Sequence, residues 1–281
     1  MWATAQPYYE RPSPNPTGRR EISFNGPRPL HQMPNVRVHS AFEPLTVSRR
    51  TPVFVLTGAG ISAESGVATF RDAGGLWHSH RFEDVASPEA WARNPALVWK
   101  FYSERRGQLS GIQPNGAHRA LAELERQLDD AFFLCTQNVD SLHELAGSKR
   151  LLHMHGELAK SRCERGHAPP FDDTALYPTL ADIPCCDCGG RIRPHICWFG
   201  EVPFDLDRAQ AELARCRVFV TIGSSGAVYP AAGFAATARR RGARTVYVGP
   251  EAPDNADLFD ECRLGTATEA VPELFRFAPS T

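Results

Sequence analysis

Val53-Phe54-Val55-Leu56-Thr57-Gly58-Ala59-Gly60-Ile61-Ser62-Ala63 is the stretch on which the fold turns. Its first five residues form a short apolar run that ends at a glycine, the pattern of a buried strand. The small, glycine-containing turn that follows lets backbone amides come close to a pyrophosphate. Taken alone, the turn fits equally a tight strand-to-helix connection with no ligand. An ordinary dinucleotide dehydrogenase would place a second strand ending in an acid about twenty residues further on. Here the chain runs instead into Thr69-Phe70-Arg71-Asp72, a loop with a charged pair, which tilts the reading away from hydride transfer.

Working outward, residues 131–135 (Ala-Phe-Phe-Leu-Cys) read as a second buried strand, and residues 88–128 as mostly helical with stops near Asn94-Pro95 and between Gly111 and Gly116. Residues 217–222, the turn Gly223-Ser224-Ser225-Gly226, an alanine-rich helix to Arg241 and residues 245–248 make a complete strand, helix, strand unit. Strands alternating with helices imply an α/β fold with a Rossmann-like parallel sheet. Residues 159–193, rich in Pro and Asp and weak in periodicity, are placed like a smaller lobe inserted in it. The prolines crowded into residues 1–48 mark a flexible arm, leaving 49–277 as the folded domain. A mitochondrial presequence is the alternative for the arm. Its prolines would break the required helix, and Glu10 and Glu21 carry the wrong sign.

With 281 residues, 42% of them hydrophobic, the chain can bury a real core. A net charge of −1 gives no bulk electrostatic argument for nucleic acid or an anionic membrane as partner. No stretch is long and apolar enough to span a bilayer, and no secretory signal stands near the start, so the expectation is a cytoplasmic monomer. Eight cysteines in a chain of this size read as reduced thiols or a metal site rather than as a disulfide framework.

Three further segments carry chemistry. Gln137-Asn138-Val139-Asp140 follows the second strand, where the carboxyl ends of parallel strands gather ligands. Its amides and carboxylate can hydrogen-bond a carboxamide and ribose hydroxyls, and an Asx turn capping the next helix is the plainer reading. His153-Met154-His155-Gly156-Glu157 ends a short alternating strand with a histidine, suited to general-base work on a sugar hydroxyl. A buried structural histidine or a zinc ligand pair is the alternative. Cys185-x-x-Cys188, with Cys163 upstream, is most of a zinc knuckle. Position 166, where a complete ribbon would carry cysteine, is Gly166, which leaves His167 or Cys186 as the fourth ligand.

Together these segments resemble the sirtuins from Val53 to about Phe275. The resemblance rests, in order, on Gly58-Ala59-Gly60-Ile61-Ser62, Phe70-Arg71, Thr136-Gln137-Asn138-Val139-Asp140, His153-Met154-His155-Gly156, Cys197-Trp198-Phe199-Gly200-Glu201 and Gly223-Ser224-Ser225. It implies an NAD-dependent protein-lysine deacylase that yields nicotinamide, O-acyl-ADP-ribose and free lysine, with a zinc lobe and a cleft for acylated lysine side chains. His155 would be the base, with Asn138 and Asp140 beside it. Ser62, Arg71, Gln137, Asn138 and Asp140 would hold the nicotinamide ribose, and Gly223, Ser224 and Ser225 the adenosine side. Gly58, Ala59, Gly60, Ala63, Phe70, Trp77, Val139, Gly249 and Ala267 complete the implied NAD contacts. Sirtuins usually carry asparagine where Gly249 stands, so that contact could pass to Glu251. Zinc would be held by Cys163, Cys185, Cys188 and His167.

Tyr102 and Arg105, three apart on one helical face, resemble the pair by which the class III branch binds the distal carboxylate of succinyl-, malonyl- or glutaryl-lysine. Ala86 would widen that acyl pocket. Cys197, Phe199, Gly200 and Glu201 would meet the substrate, with Phe199-Gly200-Glu201 pairing with its backbone as an added strand. Mono-ADP-ribosyl transfer and a noncatalytic NAD-binding interaction module are the rival functions.

Overall fold

The computed structural model describes residues 37–38, 43–69 and 81–278. Seven parallel strands form the main sheet: β1 (Arg37–Val38), β3 (Val53–Thr57), β4 (Phe132–Thr136), β5 (Leu151–His153), β9 (Val218–Ile222), β10 (Arg244–Gly249) and β11 (Glu261–Leu264). Their order is β1-β11-β10-β9-β3-β4-β5. Every residue of β3, β4 and β9 is buried, as a parallel sheet covered on both faces requires. Alternate side chains of these strands supply two cores. Phe54, Leu56, Phe133 and Phe219 pack under α6 (Leu206–Arg215) and α7 (Phe234–Arg240). Val53, Val55, Leu134 and Val220 pack on the other side, against α4 (Gly116–Leu128) and α8 (Ala267–Ala270).

Between residues 88 and 128 the helix stops fall where the sequence puts them, and the three helix starts there are capped. Ser87 accepts a hydrogen bond from the Ala90 N–H ahead of α2 (Pro88–Arg93), Asn94 one from Leu97 ahead of α3 (Pro95–Leu109), and Asn115 bonds from Ala117 and His118 ahead of α4.

Strand pairing reaches ahead of the expected boundary at residue 48. Strand β2 (Leu45–Val47) pairs in parallel with β12 (Phe275–Phe277), and Leu45 and Val47 enter the core. Two apolar residues are too short a run to show a period, and their partner strand lies at the far end of the chain.

The smaller lobe also draws on more of the chain than residues 159–193. Its antiparallel sheet joins β6 (Gly156–Cys163), β7 (Phe171–Asp172) and β8 (Ile192–Ile196). Against it pack α3 and the short α1 (Phe82–Val85) and α2, in a third core that holds Trp99, Tyr102, Leu158, Ile192 and Trp198. Arg106 ties the halves together, donating to the Leu158 and Ala175 carbonyls at 2.8 and 2.6 Å.

Candidate active site

From β3 the sheet grows to one side through β4 and β5, and to the other through β9, β10 and β11. A topological switch point therefore lies between β3 and β9, and a crevice opens there at the carboxyl ends. The glycine turn after β3 is interlocked with the turn after β9. Gly60 N–H donates to the Gly223 carbonyl at 2.9 Å, and a Cβ on Gly60 would stand 2.7 Å from the Gly223 Cα. Gly223 has φ +62, a conformation that favours glycine. Gln137 closes the third side, its Nε2 donating to Ser224 Oγ at 2.8 Å.

The polar centre is built on Ser62. Its hydroxyl accepts from Asn138 Nδ2 at 3.1 Å and donates to Asp140 Oδ2 at 3.1 Å. Asp140 also accepts the Leu142 N–H, so the carboxylate caps α5 (Leu142–Leu145) as well as facing Ser62. Burial pushes the Asp140 carboxyl up, and the Leu142 and Ser62 hydrogen bonds work against that. His118, at the start of α4, brings Nε2 to 3.4 Å from Ser62. Sequence reading did not place it here. An N-cap motif at Asn115 was there to be found, but nothing local says that α4 begins behind Ser62.

The two histidines after β4's partner strand have opposite fates. His155 Nδ1 stands 3.1 Å from the Gln137 carbonyl oxygen, which can only accept. The ring hydrogen is therefore on Nδ1, and Nε2 keeps its lone pair. Burial pushes the His155 imidazolium down to about 4, so the ring is neutral at physiological pH. His153 is likewise penalised by burial, but Glu144, 2.6 Å from Nε2, outweighs it and holds the pKa above its ordinary value. Its Nδ1 donates to the Asn138 carbonyl at 3.0 Å, so the ring pins the backbone of Asn138.

Tyr102 and Arg105 face the lobe side of the cleft from α3. Tyr102 is buried, and Arg105 Nη1 is buried with no hydrogen-bond partner among the described residues. Burial lowers the Arg105 pKa, opposed by Tyr102 and Asp140. A pocket of about 270 Å³ adjoins this guanidinium, lined by Gly66, Val67, Ala68, Gln108, Leu109 and Ile112. The loop after β8 is fastened to both neighbours: Cys197 N–H donates to the His155 carbonyl at 2.9 Å and Phe199 N–H to the Ala86 carbonyl at 3.1 Å. Phe199 and Gly200 are exposed there.

The profile of the Sir2 family matches residues 58–230. The chain belongs to the Sir2 family. Among its relatives, a protein of Pasteurella multocida is 50% identical over 234 residues, covering 80% of this chain and 97% of its own, and is named NAD-dependent protein deacylase. A protein of Caulobacter vibrioides with the same name is 52% identical over 223 residues, covering 78% of this chain and 93% of its own. A solved Sir2 homologue–NAD complex matches with a TM-score of 0.72 at 40% identity, covering 80% of this chain and 89% of that one. A complex of a mutant Sir2 homologue with ADP-ribose matches at 0.74 and 39% identity, covering 80% and 91%.

Within this sirtuin framework some expected residues sit differently. Phe70, Arg71 and Trp77 lie outside the described residues. Ala63 is exposed at the crevice rim, and Ala59 half-buried. Ser225 accepts from the Asp254 N–H and its hydroxyl from Ala227 N–H, so it shapes the turn after β9. Gly249 is buried, and a Cβ there would meet the Tyr247 hydroxyl at 2.3 Å. The tyrosine thus fills the space that a side chain at 249 would need, and Glu251 is exposed. Ala267 is buried at the start of α8, whose Thr268 is held by Glu64. Glu201 does not present its carboxylate outward. It grips Arg193 with both oxygens at 2.7 and 3.0 Å.

The smaller lobe gathers Cys163, Cys186 and Cys188, with sulfurs within 4.8 Å of one another. Cys163 Sγ and Cys188 Sγ are 3.5 Å apart, close to the ~3.8 Å edge of a tetrahedron with Zn–S near 2.3 Å. His167 Nδ1 stands 3.4 Å from Cys186 Sγ. Backbone N–H groups of Arg165 and Gly190 point at Cys163 and Cys188 sulfurs, as suits thiolates. The donor set fits zinc, with Cys186 in the place expected for Cys185. Cys185 is exposed in an extended bridge to Arg191, where successive side chains face opposite ways, so only one of the adjacent pair can turn inward.

Proposed function

We propose that this sirtuin is an NAD-dependent protein-lysine deacylase that accepts acidic acyl groups as well as acetyl. The observation that carries the first half is His155: a neutral ring, its hydrogen locked on Nδ1, beside the Ser62, Asn138 and Asp140 cluster at the switch point. Bound NAD supplies an electrophilic ribose carbon from which nicotinamide departs as the acyl oxygen attacks. Ser62, Asn138 and Asp140 offer that ribose a fixed set of donors and acceptors, held so tightly among themselves that little reorganisation is needed. His155 Nε2 accepts the proton of a ribose hydroxyl, and the Gln137 carbonyl steadies the ring as it becomes charged. One water is consumed as the lysine nitrogen leaves the acyl carbon, and the products are nicotinamide, O-acyl-ADP-ribose and free lysine. Zinc, held by the three cysteines and His167, keeps the lobe folded and stays outside the chemistry.

The second half rests on Arg105. A guanidinium whose buried Nη1 has no partner among the described residues is costly, and an anion from the ligand is what would relieve it. That relatives about 50% identical are named NAD-dependent protein deacylase supports deacylation over ADP-ribosyl transfer. A solved Sir2 complex with a deacetylated peptide and an O-acetyl-ADP-ribose, at a TM-score of 0.68 and 28% identity, supports a peptide-borne lysine as substrate.

The test separates binding from chemistry. His155→Ala is expected to bind NAD within a few-fold of the parent and to release no nicotinamide with either an acetyl- or a succinyl-lysine peptide. Turnover near the parent rate would refute the role given to His155.

A further inference from the structure

Trp198 stands between the acyl end of the cleft and the loop that would dock the peptide. Its indole is 2% exposed and held on three sides. Nε1 donates to the Tyr102 hydroxyl oxygen at 3.1 Å, across 96 residues of sequence. The Arg193 guanidinium lies 3.2 Å above the ring centroid. The Trp198 peptide N–H donates to Glu201 Oε2 at 2.8 Å, and the same carboxylate clamps Arg193, which also donates to the Ile196 carbonyl at 2.9 Å. The indole therefore cannot turn without disturbing a buried, two-pronged ion pair.

The consequence lies in the hydrogen count of the phenol. A tyrosine hydroxyl has one hydrogen to give and lone pairs to accept with, whereas an indole N–H can only donate. Trp198 thus occupies the accepting side of Tyr102 and forces the hydroxyl hydrogen to point elsewhere. Among the described residues no acceptor takes that hydrogen. Burial pushes the Tyr102 pKa up to about 12, so the hydrogen is present at any physiological pH. One turn along the same helix, Arg105 Nη1 is a second buried donor without a partner.

We propose that Trp198 is a positioning residue for acyl selectivity: its N–H commits the Tyr102 hydroxyl to donate, beside Arg105, to the distal carboxylate of a dicarboxylic acyl-lysine. The inference rests on the acidic acyl pocket proposed above. It further links the two ends of the substrate, because the Glu201 that anchors Trp198 sits in the loop that meets the peptide. An acetyl group carries no distal carboxylate, so the device leaves deacetylation alone.

The test is a double-mutant cycle on full-length protein, with kcat/KM for matched succinyl- and acetyl-lysine peptides and the thermal midpoint of each variant. Trp198→Phe is expected to lower desuccinylation about five- to tenfold, the worth of one oriented hydrogen bond, and to hold deacetylation within about twofold. In a Tyr102→Phe background, which has no hydroxyl to orient, the same change should add nothing. Equal losses on both peptides, or an undiminished further loss in the Tyr102→Phe background, would overturn the proposal. If Trp198→Phe does not fold, Arg193→Lys, which keeps the charge but loosens the indole, enters the same cycle with the same two criteria. Tyr102→Phe alone distinguishes the underlying reading: if it leaves desuccinylation unchanged, the acidic pocket itself is refuted, and the role of Trp198 with it.

Discussion

Replacing Arg105 with methionine should raise stability while destroying one activity. Its Nη1 is buried with no partner among the described residues, and burial already lowers the guanidinium's pKa. An apolar side chain of similar length removes an unpaired buried donor, and such exchanges are often neutral or stabilising by about 1 kcal/mol or more. For this chain that corresponds to roughly 2–4 °C in Tm. The cost falls on the ligand instead. A hydrogen bond between charged partners is worth about 1.5–3 kcal/mol, so kcat/KM for a succinyl-lysine peptide should drop roughly 10- to 150-fold. Acetyl-lysine turnover should stay within about threefold, because no charge on that substrate seeks the arginine. The assay is paired kinetics by mass spectrometry with a thermal melt of the ligand-free protein. Parallel losses on both peptides, or a melting point several degrees lower, would show that Arg105 is a structural residue and refute the reasoning.

Acid should destabilise the fold well before the carboxylates titrate. Burial holds His118 and His155 each at about 4, below the ordinary 6.5, so the unfolded chain binds more protons as pH falls. Their stability contribution is present above pH 6.5 and is lost between 6.5 and 4, on the order of 2 kcal/mol per histidine by pH 5. Denaturant midpoints that stay flat from pH 7 to 5 would contradict this. In the lobe, Cys186→Ser should lower bound zinc, measured as metal per chain, and Cys185→Ser should not; the reverse would restore Cys185 as the ligand. Gly60→Ala places a Cβ 2.7 Å from backbone that has nowhere to go, so soluble protein should lose NAD affinity and at least about 2 kcal/mol of stability. A variant with the parent's melting point and NAD titration would show the two turns to be less tightly interlocked.

The sheet was legible in the sequence because its central strands are apolar at all but one position each, and the turns at Gly58 and Gly223 are where backbones must nearly touch. The helix starts were legible because serine and asparagine caps act within one turn. What escaped depends on contacts far apart in the chain. His118 reaches Ser62 across 56 residues, and Glu201 is turned inward by Arg193, a partner that no local pattern announces. The choice between Cys185 and Cys186 depends on the register of a bridge to Arg191, which spacing alone does not contain. Leu45 and Val47 were hidden by brevity.

The central claim is that a neutral His155 serves an NAD-consuming transfer of an acyl group from lysine. Its most direct test is a product balance: wild-type protein with NAD and a succinyl-lysine peptide, every product counted by mass spectrometry. The expected result is nicotinamide, free-lysine peptide and O-succinyl-ADP-ribose in equal amounts. Nicotinamide released while the peptide keeps its acyl group, with ADP-ribose appearing on protein, would contradict the account and make this chain an ADP-ribosyltransferase.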